Sequence, residues 1–148
     1  MALEEQARKA GGRVHAVLGN HEVMNMVGEL RDATPEIFET FGGEAAMREA
    51  FSPRGRYGRW LRGKRVMQEV DGSIFIHGGI NPEFSTGSID DINRRARREL
   101  EEWDAGVEAL VDRKLVARAP KFLEAVEAAR LEVQRLVGGP RRDDLPTR

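Results

Sequence analysis

Val14-His15-Ala16-Val17-Leu18-Gly19-Asn20-His21-Glu22 is the stretch on which the reading of this chain turns. An apolar run with strand character ends at a glycine, and Asn, His and Glu follow together. In open α/β sheets, residues just past the carboxyl end of a strand are where ligands bind. The spacing therefore predicts a strand over 13–18 with Asn20 and His21 at its rim. An Asn carbonyl is a neutral oxygen donor to a metal, and an imidazole titrating near neutrality can hand over a proton. These residue types suit metal-assisted hydrolysis of a phosphate ester.

Ser73-Ile74-Phe75-Ile76-His77-Gly78-Gly79 repeats the pattern: a short apolar strand running into a histidine and two glycines. His77 would be a nitrogen ligand, and the glycines would allow backbone to approach a metal or phosphate closely. The stretch between the two segments has room for several helices.

Gly19-Asn20-His21-Glu22 followed at this distance by His77-Gly78-Gly79 resembles two signature blocks of the calcineurin-like metallophosphoesterases. Val23-Met24-Asn25-Met26-Val27-Gly28-Glu29-Leu30-Arg31 resembles the Shewanella-like protein phosphatase branch, as do Phe51-Ser52-Pro53, Tyr57-Gly58-Arg59-Trp60-Leu61 and Asp91-Ile92-Asn93-Arg94-Arg95. The resemblance runs from about residue 8 to residue 100. It implies an α/β fold: part of a metallophosphoesterase-type β-sandwich with flanking helices. It also implies Asn20 and His77 as metal ligands, His21 as the catalytic acid, and divalent Mn, Fe or Zn as the cofactor. The substrate would be a phosphomonoester, with phosphoproteins the natural class. In an intact relative two metals hold the phosphate and activate a bridging water, and the histidine protonates the leaving oxygen.

The chain departs from that family at both ends. Residues 1–18 contain no Asp, so the Asp-x-His and Asp-x-x-Asp-Arg-Gly blocks are missing, and with them the metal-bridging Asp and the Asp that orients the catalytic His. The histidines are His15, His21 and His77, so no closing histidine follows residue 77. Where phosphoprotein phosphatases carry a phosphate-binding Arg, position 24 is Met. Arg31 and Asn25 are the remaining substrate-side candidates. One amide oxygen and one imidazole cannot offset the repulsion between two closely spaced dications. The expectation is a central piece of a phosphoesterase, inactive alone, with metal binding in doubt. The alternative is a non-catalytic remnant whose helical second half binds a protein partner.

Most other features have plain structural readings. His15 sits inside the expected strand, and Glu22 supports the loop through hydrogen bonding. Arg94, Arg95, Arg97 and Arg98 precede Glu99, Glu101 and Glu102 at ion-pairing spacing, which reads as a solvated helix face and not a nucleic-acid site. The basic stretch from Arg54 to Arg65 is likewise assigned to the surface. A charged fraction of 33% and net charge of −1 argue against general attraction to nucleic acid or anionic membrane. With no cysteines, a disulfide scaffold and a thiolate site are excluded. No apolar run reaches the ~20 residues of a membrane span, so a cytoplasmic location is expected.

Locally, a helix end is predicted over 2–10, a short helix over 23–31 and a helix over 35–41 opened by Thr34-Pro35. More helix follows over 44–50 and around Tyr57, Trp60 and Leu61. Strands at 65–70 and 73–77 are joined by the hairpin signal Asp71-Gly72. Helical segments fall over 88–104 and 106–137, with Pro120 marking a boundary. The domain expectation is a partial phosphoesterase domain at 1–103, a helical extension at 104–137 and a mobile tail at 138–148. Sheet edges left open by missing strands, or the C-terminal helices, would favour self-association.

Overall fold

A computed structural model describes residues 1–82 and 87–137; the tail expected at 138–148 lies outside the described residues. The order is α1 (Ala2–Lys9), α2 (Asn20–Met26), α3 (Pro35–Phe41), α4 (Glu44–Phe51), α5 (Arg56–Arg62), β1 (Met67–Val70), β2 (Ser73–Ile76), α6 (Ile89–Asp112) and α7 (Phe122–Val137). The architecture is helix-rich with one small sheet. Among the described residues that sheet has two antiparallel strands, where part of a β-sandwich was expected.

The main correction concerns residues 13–18. This segment is extended but forms no strand; its ties to the sheet region are a parallel bridge from Val17 to Arg65 and the bond from Leu18 N to Arg65 O, 2.8 Å. A strand needs a ladder, and apolar alternation supplies none without a neighbour on the other side. Leu18 is nonetheless buried. With Met26 and Leu61 it forms the core cluster, against which Phe51, Trp60, Val66 and Leu100 pack.

Several elements follow from local chemistry. Thr34 has extended backbone before Pro35, whose missing N–H is no loss in the first helical turn. Gly42 ends α3 in the left-handed conformation, φ 83°. Asp71 and Gly72 both take positive φ, 50° and 75°, as a two-residue hairpin turn demands. They set the register Met67 to Ile76 and Val70 to Ser73. At α6, the Ser88 hydroxyl accepts from Asp91 N while the Asp91 carboxylate accepts from Ser88 N, each at 3.1 Å. From there α6 runs unbroken through 103–106 to Asp112, where two segments were expected.

Three contacts set the helices around the motif. The Arg62 guanidinium bonds Asp104 twice, at 2.6 and 2.8 Å, and reaches the carbonyls of Phe51 (2.9 Å) and Met26 (3.2 Å). One side chain thereby joins α5 to α6 and closes off the last turns of α2 and α4. Asn93 of α6 accepts from the amides of Val66 and Met67 and donates to Met67 O, which fixes β1 to the helix. At Gly28, φ 82°, a β-carbon would lie 2.5 Å from Pro120 O, and Phe122 N donates to Gly28 O at 3.2 Å. Backbone meets backbone there, between the end of α2 and the start of α7.

Among the described residues more large apolar side chains are exposed than buried, the exposed ones including Ile74, Phe75, Ile80, Leu123, Val133 and Leu136. Among the described residues no helix is long and apolar enough to cross a membrane.

Candidate functional site

Asn20 opens α2 instead of preceding it, so the helix begins within the motif. Gly19 is its N-cap, and the Glu22 carboxylate accepts from Gly19 N at 2.8 Å, the loop-supporting role expected of Glu22. The backbone of Gly19 is extended, φ −103°, so no unusual conformation demands glycine. Space does. A β-carbon at residue 19 would lie 2.8 Å from Glu22 Oε2 and 2.9 Å from the His77 ring. The glycine lets the ring at the end of β2 come down onto the turn.

That approach brings together the two residues expected to act as one ligand pair. His77 Nε2 and Asn20 Oδ1 are 2.9 Å apart, with the ring nitrogen as donor to the amide oxygen. Both residues are solvent-exposed. The donor set decides what they can hold. Among the described residues no group of three or more His, Cys, Asp or Glu side chains is placed to hold a metal ion. A dinuclear centre needs anionic bridging and several further ligands per ion. An amide and an imidazole alone do not fit it.

His21 points elsewhere, onto Asp32: Nε2 lies 3.4 Å from Asp32 Oδ2. This partner was missed from the sequence, where the orienting carboxylate was sought upstream of Gly19. Asp32 stands in the turn that reverses the chain after α2, and only that reversal brings it to His21. His21 and Asp32 border a cleft of about 300 Å³ whose walls include Met24, Ile37, Phe41, Met47 and Phe51. Phe41, Phe51 and Tyr57 form an aromatic cluster at 5.5–5.8 Å behind it. Asn25 lines the same cleft. Arg31 does not; it pairs with Glu29 at 3.1 Å and lines a neighbouring cleft with Lys121 and Phe122.

The basic stretches are engaged in ion pairs, mostly at the surface; Arg62 and Lys64, assigned to the surface from the sequence, are instead largely enclosed and bind Asp104 and Glu4. Arg95 meets Glu99 at 2.8 Å and Arg98 meets Glu102 at 3.9 Å, the i,i+4 spacing read from the sequence. Arg94 pairs with Asp91, and Arg54 with Glu108 at 2.5 Å.

No protein-family model matches the chain. Shewanella-like protein phosphatase 1 of Plasmodium berghei is 35% identical over 102 residues, 67% of this chain. A solved cold-active protein tyrosine phosphatase matches 73% of the chain at 31% identity and a TM-score of 0.56. The chain resembles the Shewanella-like protein phosphatases. A point mutant of a cold-active tyrosine phosphatase matches 93% of the chain at 25% identity and a TM-score of 0.58, a share that takes in the helices after residue 104. The chain spans 28% of the length of the Plasmodium relative and 32% and 45% of the two solved phosphatase chains.

Proposed function

We propose that these 148 residues carry part of a metal-dependent phosphomonoesterase of the Shewanella-like phosphatase type, catalytically silent by themselves. The observation that carries this reading is the meeting of Asn20 and His77 within hydrogen-bonding distance, from segments far apart in sequence, over a glycine at residue 19 that leaves room for the ring. Asn20 and His77 are the ligand pair of one metal. Among the described residues no carboxylates stand beside them to complete a metal centre. His21 is the proton donor to the leaving oxygen, with Asp32 beside it to hold the ring. Asn25 faces the substrate from the cleft wall. Arg31, drawn off by Glu29, would have to leave that pair to reach a phosphate.

The substrate class is a phosphomonoester on protein. Two solved relatives are tyrosine phosphatases by name, so phosphotyrosine is the first side chain to test. In a complete fold, the hairpin and residues 13–18 would join further strands into the sandwich. The division between the phosphatase part and the helical extension falls at about residue 103, within α6.

A second reading has its own observation. Leu123, Val126, Val133 and Leu136 on α7 are exposed, a face suited to a protein partner. The two readings separate on metal. Calorimetry with Mn²⁺ on the chain and on Asn20→Ala/His77→Ala, with p-nitrophenyl phosphate assayed alongside, is the test. Weak binding that vanishes in the double variant, with no turnover, is expected. Tight binding with turnover would mean that a complete site exists, and binding indifferent to the substitutions would remove the ligand assignment.

A further inference from the structure

His21 and Asp32 do not hold each other. Their side chains are 64% and 52% exposed, and a charge pair open to water is too weak to fix two side chains in one geometry. What places Asp32 at 3.4 Å from the ring lies in the chain that carries it. Asp32 follows closely on the end of α2. Gly28 N donates to Asn25 O at 3.2 Å and Glu29 N to Met24 O at 2.9 Å, the paired bonds of a glycine helix stop. Leu30 is then buried, and Ala33 N closes a turn onto Leu30 O at 3.0 Å, with Asp32 inside that turn. Arg31 braces it, donating to the Glu29 carboxylate from its amide and its guanidinium, each at 3.1 Å.

The stop is also clamped from outside. A β-carbon on residue 28 would lie 2.5 Å from Pro120 O, and Phe122 N donates to Gly28 O at 3.2 Å. The clamp has its own anchors. Arg48 Nε of α4 donates to Ala119 O at 3.1 Å, Lys121 pairs with Glu44 at 3.3 Å, and Phe122 stacks on Trp103 of α6 with ring centroids 5.2 Å apart. Gly42 offers a contrast: its φ of 83° matches the 82° of Gly28, yet a β-carbon there would meet nothing within 4 Å. Backbone conformation alone asks for glycine at residue 42. At residue 28 the neighbouring backbone asks for it as well.

We propose that Gly28 is a positioning residue for His21: the 119–122 segment, pressed onto Gly28, sets the turn that brings Asp32 to the imidazole. This rests on the reading of His21 as the proton donor, and it gives the region after residue 104 a part in the site. A group misplaced by about 1 Å loses much of its catalytic effect, so the turn needs a fixed seat.

The geometry can be read without turnover. In NMR spectra of the chain, the His21 ring should show a cross-relaxation peak to the Asp32 β-protons. Gly28→Asn keeps a residue that tolerates positive φ but adds the β-carbon that meets Pro120. It should lose that peak and shift the His21 ring resonances, while those of His77 stay in place. Phe122→Ala, which removes the stack on Trp103, should do the same by loosening the clamp. Gly42→Asn, with the same backbone demand and open space, should keep the peak. A native peak in folded Gly28→Asn would overturn the proposal, as would its loss in Gly42→Asn or its absence from the unsubstituted chain. Should Gly28→Asn not fold, Phe122→Ala decides in its place. These spectra need no metal, so failure of the positioning leaves the Mn²⁺ test standing, and failure of metal binding leaves the positioning intact.

Discussion

Arg62 and the Asn20–His77 pair are both polar centres joining distant segments, yet they stand in opposite circumstances. Arg62 is largely enclosed, with two bonds to Asp104 and two to carbonyls at helix ends. Its neighbours depend on it. Asn20 and His77 are exposed and share one bond, and their remaining capacity faces solvent. A polar group whose bonds are spent inside the fold is there for architecture. One held in place but left open is available for binding. The difference teaches where stability and function separate in this molecule.

The comparison breaks first at Arg62. Arg62→Ala leaves Asp104 and two helix-end carbonyls without their partner, and should lower unfolding stability by about 3 kcal/mol in urea titration. Arg62→Lys should recover only part, because an ammonium cannot reproduce the two-pronged contact with Asp104. A loss below about 1 kcal/mol would put Arg62 in the same class as the exposed pair.

Gly19→Ala tests the boundary between the two classes. Its β-carbon displaces either the Glu22 carboxylate or the His77 ring. A cost of about 1–2 kcal/mol is expected, with the His77 ring resonances shifted in NMR spectra. Unshifted resonances would mean that Glu22 alone yields.

Asn20→Ala and His77→Ala should each change stability by no more than about 0.5 kcal/mol while removing metal binding. A larger destabilisation would turn the pair into a structural device and undo the contrast.

The smallest effect is on pH. Hydrogen bonds from Lys64 and then Trp60 hold the Glu4 carboxyl below the ordinary glutamate range. A depressed folded-state pKa means that the contribution is present above the unfolded pKa and is lost as pH falls through the folded one. Acidification should loosen α1 from α5, seen as a change in Trp60 fluorescence. Glu4→Gln should abolish that acid transition; its persistence would assign it to another carboxylate.

What the sequence revealed about the fold was local in origin. Thr34-Pro35 and Asp71-Gly72 act through their own backbone, and the helix over 35–41 and the hairpin turn appear where they were expected; Pro120 stands just before α7, but α6 already ends at Asp112. Residues 13–18 show the limit: alternation promises a strand, but pairing depends on neighbours that no single segment encodes. The break expected near 105 failed for the opposite reason. Gly106 weakens a helix only modestly, and bonds made by Asn93, Asp104 and Glu108 to other elements anchor the helix on both sides of it. At the candidate site, Asn20, His21 and His77 could be named because their spacing carries a motif. Asp32 could not, since only the turn after α2 delivers it to His21.

The meeting of Gly28 with Pro120 and Phe122 bears on the order of assembly. The contact closes nearly the whole length between α2 and α7, and its chain-entropy cost is met by these backbone contacts, the stacked pair Trp103 with Phe122, and ion pairs such as Lys121 with Glu44 and Arg113 with Glu132. Non-local closures of this kind must meet loop entropy before they gain contacts, and so are slow to form. During synthesis the motif half can settle before α7 arrives. When α7 does come away, its exposed apolar face is what a chaperone or protease would meet.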